Sequence, residues 1–284
     1  MYAYLILVFA ALLYQPNQPD VILVTIDGTR WQEVFDGTDD YRNRGHHLTA
    51  RQLLPNLYNY FVDEGLAVGG DSPIIASGPN HVSLPGYLEI TRGHSSSDCQ
   101  TNTCRPIIDQ SVFWFFQHPA VFSSWFPVRE TIPSNTSQVY ADTGTNWYRW
   151  DHETELVMIQ YLDRHTPDFL WVSLGDTDEF GHANDYARYL QSLQGADQFI
   201  GYLVQRYPNS TVIVTADHGR SVNFKDHGMD KESERVWLMM RGPTVSHDGF
   251  ISAAPLSLSN ILPTITDIEL GGHSPNSILS LIKK

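Results

Sequence analysis

Three stretches of this 284-residue chain read as strands covered on both faces: Val21–Ile26 (VILVTI), Phe169–Leu174 (FLWVSL) and Thr211–Thr215 (TVIVT). Unbroken runs rich in β-branched residues suit the inner strands of a parallel sheet, because neither face meets water. Parallel neighbours need a crossover between them, usually a helix, and the intervening chain has helical spacing. The clearest case is 185–204, where Tyr189, Leu190, Leu193, Ala196, Phe199, Ile200 and Leu203 share one face. Shorter helices are predicted over 53–62, 109–116, 153–162 and 259–270, and shorter strands at 66–68, 121–122 and 235–240. Residues 127–150 have little periodicity and read as a loop insertion, a candidate wall for a substrate pocket. No internal repeat or linker interrupts the pattern. The fold class is therefore α/β, a mostly parallel central sheet with helices on both faces.

In such sheets ligands sit beyond the carboxyl ends of the strands. Each of the three runs ends in side chains able to hold a cation. Asp27 and Gly28 follow the first. Asp178 and His182, four residues apart, follow the second. Asp217, His218 and Gly219 follow the third, with His227 nine residues beyond His218. Carboxylate oxygens and imidazole nitrogens are the donor set of a borderline cation such as zinc. Three carboxylates and three imidazoles suffice for two metal sites. Asp176 reads as a turn residue rather than a partner of the metal ligands, and His81 and His94 as exposed loop histidines rather than substrate contacts. Asp226 is a candidate to orient the His227 imidazole.

A seventh group is Ser83. It precedes a predicted helix that carries Pro85 in its first turn and ends at Gly93. Two readings stand at this point: a plain N-cap, or a nucleophile at the positive end of the helix dipole, where backbone N–H groups favour an anion.

The formal net charge of −14 argues against a nucleic-acid duplex or an anionic membrane as partner, since phosphate backbones require a basic footprint. An acidic surface or bound divalent cations would both accommodate it. Residues 1–14 are apolar and uncharged, too short for a spanning helix of about 20 residues. They fit the apolar part of an export signal, or a buried first segment of the domain. The two cysteines, Cys99 and Cys104, are too few for a four-cysteine metal site. They read as a short-loop disulfide of an oxidising compartment or as free thiols.

Together, VTIDG, SLPGYLEITRG, DTDEFGH and TADHG, with the later His in DHG, resemble the alkaline phosphatase superfamily. The likeness is strongest to its type I phosphodiesterase/nucleotide pyrophosphatase branch and spans most of the chain from Val21 onward. The resemblance implies one hydrolase domain over 17–284, after an export signal or apolar segment at 1–16. It implies two divalent metals, commonly zinc, one held by Asp178, His182 and His227. Asp27, Asp217, His218 and Ser83 would hold the other. Ser83 stands where that branch usually has threonine, a departure that keeps the hydroxyl nucleophile. Asn102, in the cysteine loop, takes the place of the polar side chain that touches a phosphoryl oxygen, or is a turn asparagine. The implied activity is hydrolysis of a small phosphoester through a phosphoseryl intermediate. A diester is favoured, because near Ser83 only Arg92 and Arg105 could supply the extra charge a monoester needs. Rival readings are a monoesterase or phosphotransferase, a sulfatase and a non-catalytic metal-binding protein. The sulfatase signature needs arginine where Tyr87 stands.

Overall fold

In the computed structural model, residues 18–71, 74–95, 97–246, 249–251 and 255–282 are described. The apolar start at 1–14 lies outside them. The three runs form β1 (Val21–Ile26), β6 (Phe169–Leu174) and β7 (Thr211–Thr215), and every residue in them is buried. Because side chains alternate between faces, burial at every position means both faces of the sheet are covered. β1 lies between the other two, in register from Val21 opposite Phe169 on one side and Thr211 on the other. Their carboxyl ends, and the residues that follow, therefore lie side by side.

Beyond these three lie β2 (Leu66–Val68), β4 (Ala120–Ser123), β5 (Tyr140–Asp142), β9 (Leu238–Arg241) and β10 (Gly249–Phe250), which complete an eight-stranded sheet of order β10-β2-β9-β7-β1-β6-β4-β5. The five strands from β7 to β5 are mutually parallel, and β9 alone runs against its neighbours. A second sheet joins β3 (Ile74–Ile75), β8 (Arg235–Val236) and β11 (Leu256–Ser257). The expected α/β class and mostly parallel sheet are borne out.

The principal helices are α1 (Ser83–Arg92), α2 (Asp151–Leu162), α3 (Asp176–His182), α4 (Tyr186–Arg206) and α5 (Ile261–Leu270). α4 buries its apolar stripe and is capped by Asp185, which accepts from Arg188 N–H at 3.1 Å. No helix among the described residues is long and apolar enough to cross a membrane.

Several elements depart from the pattern reading. The helix expected over 53–62 breaks at Leu54, whose backbone (φ −130°, ψ 62°) leaves the helical region before Pro55. The chain resumes as a short turn and a π-helical stretch, Tyr58–Val62. The helix expected over 109–116 is one 3-10 turn, Val112–Phe115. There Ser111 caps Phe113 N–H, and Phe113 and Phe116 turn inward onto Phe169. The supposed loop 127–150 contains the edge strand β5, exposed and too short to show a period. The run over 235–240 splits between two sheets around Trp237, buried with its indole N–H on Thr29 O at 3.2 Å. Asp178 and His182 stand one turn apart on α3.

Candidate metal centre

Ser83 is the first residue inside α1. The cap position belongs to Val82, and no side chain of that residue caps the helix. The plain N-cap reading fails because Ser83 Oγ points elsewhere, 3.4 Å from Asp27 Oδ1 and 3.3 Å from His218 Nε2. Asn102 takes over the capping role, its Oδ1 accepting from Leu84 N–H at 3.0 Å. Cys99 and Cys104, three residues before and two after it, are joined in a disulfide with Cα atoms 5.3 Å apart. The closed loop holds Asn102 at the helix start, so the Ser83 hydroxyl needs to satisfy no backbone donor.

α1 approaches the end of β7 closely because residue 86 is glycine. A Cβ there would lie 2.2 Å from the carbonyl oxygen of Asp217. The same approach brings four donors together. His218 Nε2 is 3.2 Å from Asp27 Oδ1 and 3.5 Å from Asp217 Oδ2, in addition to the two Ser83 distances. Zinc bonds of about 2.0–2.1 Å place adjacent donors of a tetrahedron about 3.3 Å apart, which these separations match. Asp217 Oδ2 is buried and has no hydrogen-bond partner, while Oδ1 accepts from Gly28 N–H at 3.1 Å. An orphaned buried carboxylate oxygen is costly, and a cation would satisfy it. The other atoms are committed: Asp27 Oδ2 accepts from Tyr87 OH at 2.7 Å, and His218 Nδ1 pairs with Gly219 O at 2.8 Å. That last contact keeps the proton of the neutral ring on Nδ1, so it is Nε2 that carries the lone pair once the ring is deprotonated.

A second cluster lies alongside, with the His218 and His227 rings stacked 3.9 Å apart. His182 Nε2 is 3.0 Å from His227 Nε2 and 3.2 Å from Asp178 Oδ2. In each group of three, Asp178, His182 and His227 or Asp27, Asp217 and His218, the ligand atoms lie within 4.8 Å of one another. His227 is oriented by the backbone carbonyl of His81 through Nδ1 at 3.0 Å. Asp226 plays no part in this; it bonds Asn223 instead. His81 is buried, contrary to expectation, with Nδ1 2.5 Å from Gly228 O, whereas His94 is half-buried and meets Asp109 at 3.0 Å.

The electrostatics call for positive charge. Burial disfavours a charged His218, yet Asp217 and Asp27 outweigh it and push the imidazole up to about 10. Burial, then the facing Asp27 carboxylate, lifts Asp217 well above the ordinary range. His227 is pushed down to about 3 by burial and by His218. Two carboxylates crowding one imidazole in a dry site suit a divalent cation.

The centre opens on a cavity of about 180 Å³ lined by Asp27, Ser83, Asn102, Asp178, Glu179 and His182, with Trp125, Trp147 and Tyr148 opposite. The aromatic wall comes from 125–148, mostly the supposed insertion, so its reading as a pocket wall agrees with the structure. Asp176 is a clamp for that wall: it accepts from Tyr148 OH and, at 3.0 Å, from Asp151 N–H. Among the described residues, no Lys or Arg lines the cavity. Arg92 is buried on the far end of α1, within 3.5 Å of Asp98 and Asp109, and Arg105 is exposed.

Two residues escaped the pattern reading. Tyr87 reaches Asp27 from one turn along α1 and is held by Ser173 Oγ at 3.1 Å. The hydroxyls in the apolar run FLWVSL and beside Pro85 were its only sequence signal. Arg220 is 1% exposed, and its guanidinium lies on Asp178. An arginine directly after an Asp-His-Gly motif is the mark it left.

Comparison with known proteins gives the family and the fold. No curated protein matches the chain in sequence. Among solved structures, murine ectonucleotide pyrophosphatase/phosphodiesterase 5 superposes with a TM-score of 0.62 at 11% identity, covering 92% of this chain and 99% of that one. A phosphonate monoester hydrolase from Silicibacter pomeroyi gives 0.61 at 12% identity, over 89% of this chain and 73% of that one. A protein in the alkaline phosphatase superfamily from Vibrio parahaemolyticus gives 0.57 at 14% identity, over 90% and 67%. The Metalloenzyme superfamily model matches residues 118–269, more than half of the chain, and includes Asp178, His182, Asp217, His218 and His227. The chain belongs to the Metalloenzyme superfamily, with the fold of the alkaline phosphatase superfamily.

Proposed function

We propose that residues 17–284 form one hydrolase domain that cleaves phosphodiesters through a phosphoseryl intermediate on Ser83. The observation that carries this reading is the Ser83 hydroxyl, excused from capping its helix and set 3.3–3.4 Å from His218 and Asp27 at the floor of the cavity. A binding site has no use for such a group; a nucleophile does. Asp178, His182 and His227 would hold one divalent cation, and Asp27, Ser83, Asp217 and His218 the other. Zinc suits both, by donor type and spacing. When bound, the cations supply Lewis-acid chemistry that lowers hydroxyl pKa and screens phosphoryl charge.

The chain's own groups do the rest. Ser83 Oγ attacks phosphorus, a new P–O bond forms as the bond to the leaving oxygen breaks, and the proton that Ser83 gives up ends on that oxygen, which departs as the alcohol. Asn102, its Oδ1 already engaged by Leu84, has only its amide N–H groups to offer a non-bridging oxygen. The disulfide-closed loop keeps that donor preorganised, where it is worth most. Water then attacks the phosphoseryl group, releasing the monoester and restoring the serine hydroxyl.

A diester is favoured over a monoester because no Lys or Arg is among the described residues that line the cavity, and a monoester brings a second negative charge. A sulfatase is disfavoured by Tyr87, which is committed to Asp27 at the position where that chemistry needs arginine. The disulfide and the apolar 1–14 segment together support export to an oxidising compartment. The test is a panel of nucleotide diesters, lipid head-group diesters and simple monoesters. Diester cleavage that stops with a chelator and returns with zinc is expected. Turnover of monoesters alone, or turnover indifferent to chelation, contradicts the reading.

A further inference from the structure

Arg220 is not a candidate ligand, yet it reaches both the helix α3 that carries Asp178 and His182 and the turn that leads to His227. Nη1 donates to Asp178 Oδ1, Nε to Phe224 O at 2.5 Å, and Nη2 to Lys225 O at 2.8 Å. The space for it is cleared by two glycines. A Cβ on Gly181 would lie 2.4 Å from Arg220 Cζ, and one on Gly28 would lie 2.7 Å from Nη1 and 2.5 Å from Asp178 Oδ1. Gly28 also has φ +59°, a conformation that other residues resist.

Burying a guanidinium against one carboxylate is a poor source of stability. An apolar side chain of similar size often serves a fold as well or better. Its bonds point to another use. By holding Oδ1, which lies 3.7 Å from His227 Nε2, Arg220 turns the other oxygen, Oδ2, towards His182 Nε2 at 3.2 Å. By taking the carbonyls of Phe224 and Lys225, it fixes the turn that ends in His227. That turn needs fixing, because Phe224 sits at φ +71°, unfavourable for a bulky residue.

We propose that Arg220 is the positioning residue of the outer cation site, turning Asp178 Oδ2 towards His182 and holding His227 in place. The proposal rests on the two-cation reading above. A purely electrostatic role would have the opposite sign: the Arg220 charge repels a nearby cation, so its loss would tighten binding. Positioning predicts weaker binding, and only at the outer site.

The experiment is zinc binding by equilibrium dialysis against a competing chelator, with metal counted directly, on the full chain and on Arg220→Met and Arg220→Lys. Apo-protein melting and near-ultraviolet circular dichroism control for folding. The wild type is expected to bind two zinc ions. In Arg220→Met one should bind as before and the other about 10–100-fold more weakly, the usual effect of removing a group that orients a metal ligand. Arg220→Lys keeps the charge but cannot reach three acceptors. It should show the same selective loss and serves as the variant of record if Arg220→Met does not fold. Unchanged or tighter binding of both ions, or equal weakening of both, overturns the proposal. A wild type that binds fewer than two zinc ions counts instead against the two-cation reading itself.

Discussion

The two ligand clusters differ in almost every physical respect although they are stacked against each other. The inner one, Asp27, Asp217 and His218, is fully buried, carries two carboxylates and includes the Ser83 hydroxyl. The outer one, Asp178, His182 and His227, has one carboxylate, already shared with a buried arginine, and His182 is nearly half exposed. The inner cluster sits at the ends of two adjacent central strands, β1 and β7. The outer one is assembled from a short helix and a turn beyond the sheet. Two strand ends and the start of α1 thus converge on the inner cluster, while the outer cluster keeps an exposed side at His182.

The comparison can be broken most sharply at Asp217. Asp217→Ala removes the orphaned oxygen of the inner cluster. Diester turnover should fall by about 10⁴-fold or more, as when one member of a catalytic unit is deleted, and metal analysis should show one ion lost. His182→Ala, on the exposed side, should lose about 10²–10³-fold and recover in part when zinc is raised. If added zinc restores Asp217→Ala as readily as His182→Ala, the two clusters are equivalent and the contrast is wrong. Asn102→Ala should cost about 10²-fold in kcat, the scale of one lost donor to a developing charge, with both metals retained.

Gly86→Ala tests the close approach of α1 to β7. Overpacking of this kind costs about 1–3 kcal/mol. The melting temperature should fall and turnover drop with it, while the outer cluster still binds zinc. A variant that melts and turns over like the wild type would mean the helix has room to shift. The smallest effect is expected at Trp147, 56% exposed and in edge contact with Trp125. Trp147→Ala should raise KM a few-fold for bulky diesters and leave kcat and metal content alone. Loss of metal on that substitution would move the aromatic wall into the metal centre.

How much of this was legible beforehand follows from the same contrast. β1, β6 and β7 announce themselves because both faces are buried, so nearly every residue is apolar and the ligands stand just past the end of each run. Ser83 stood out through the motif around it and Asn102 only through the family resemblance, and neither signal showed their division of labour. Which of the two caps α1 depends on a loop closed through Cys99 and Cys104, and that contact has no local period. β5 stayed hidden because an exposed three-residue edge strand owes its existence to its partner β4. Arg220 stayed hidden because a buried arginine and a surface arginine read alike until the glycines that make room for it, Gly28 and Gly181, are seen in space.

The central claim is that Ser83 itself carries the phosphoryl group during turnover. The direct measurement is mass spectrometry of zinc-loaded protein quenched in acid while it is hydrolysing a diester. The account predicts a phosphoryl adduct on the Ser83 peptide, and none in Ser83→Ala, which should bind metal but not turn over. Steady turnover by Ser83→Ala, or an adduct on another residue, would contradict it.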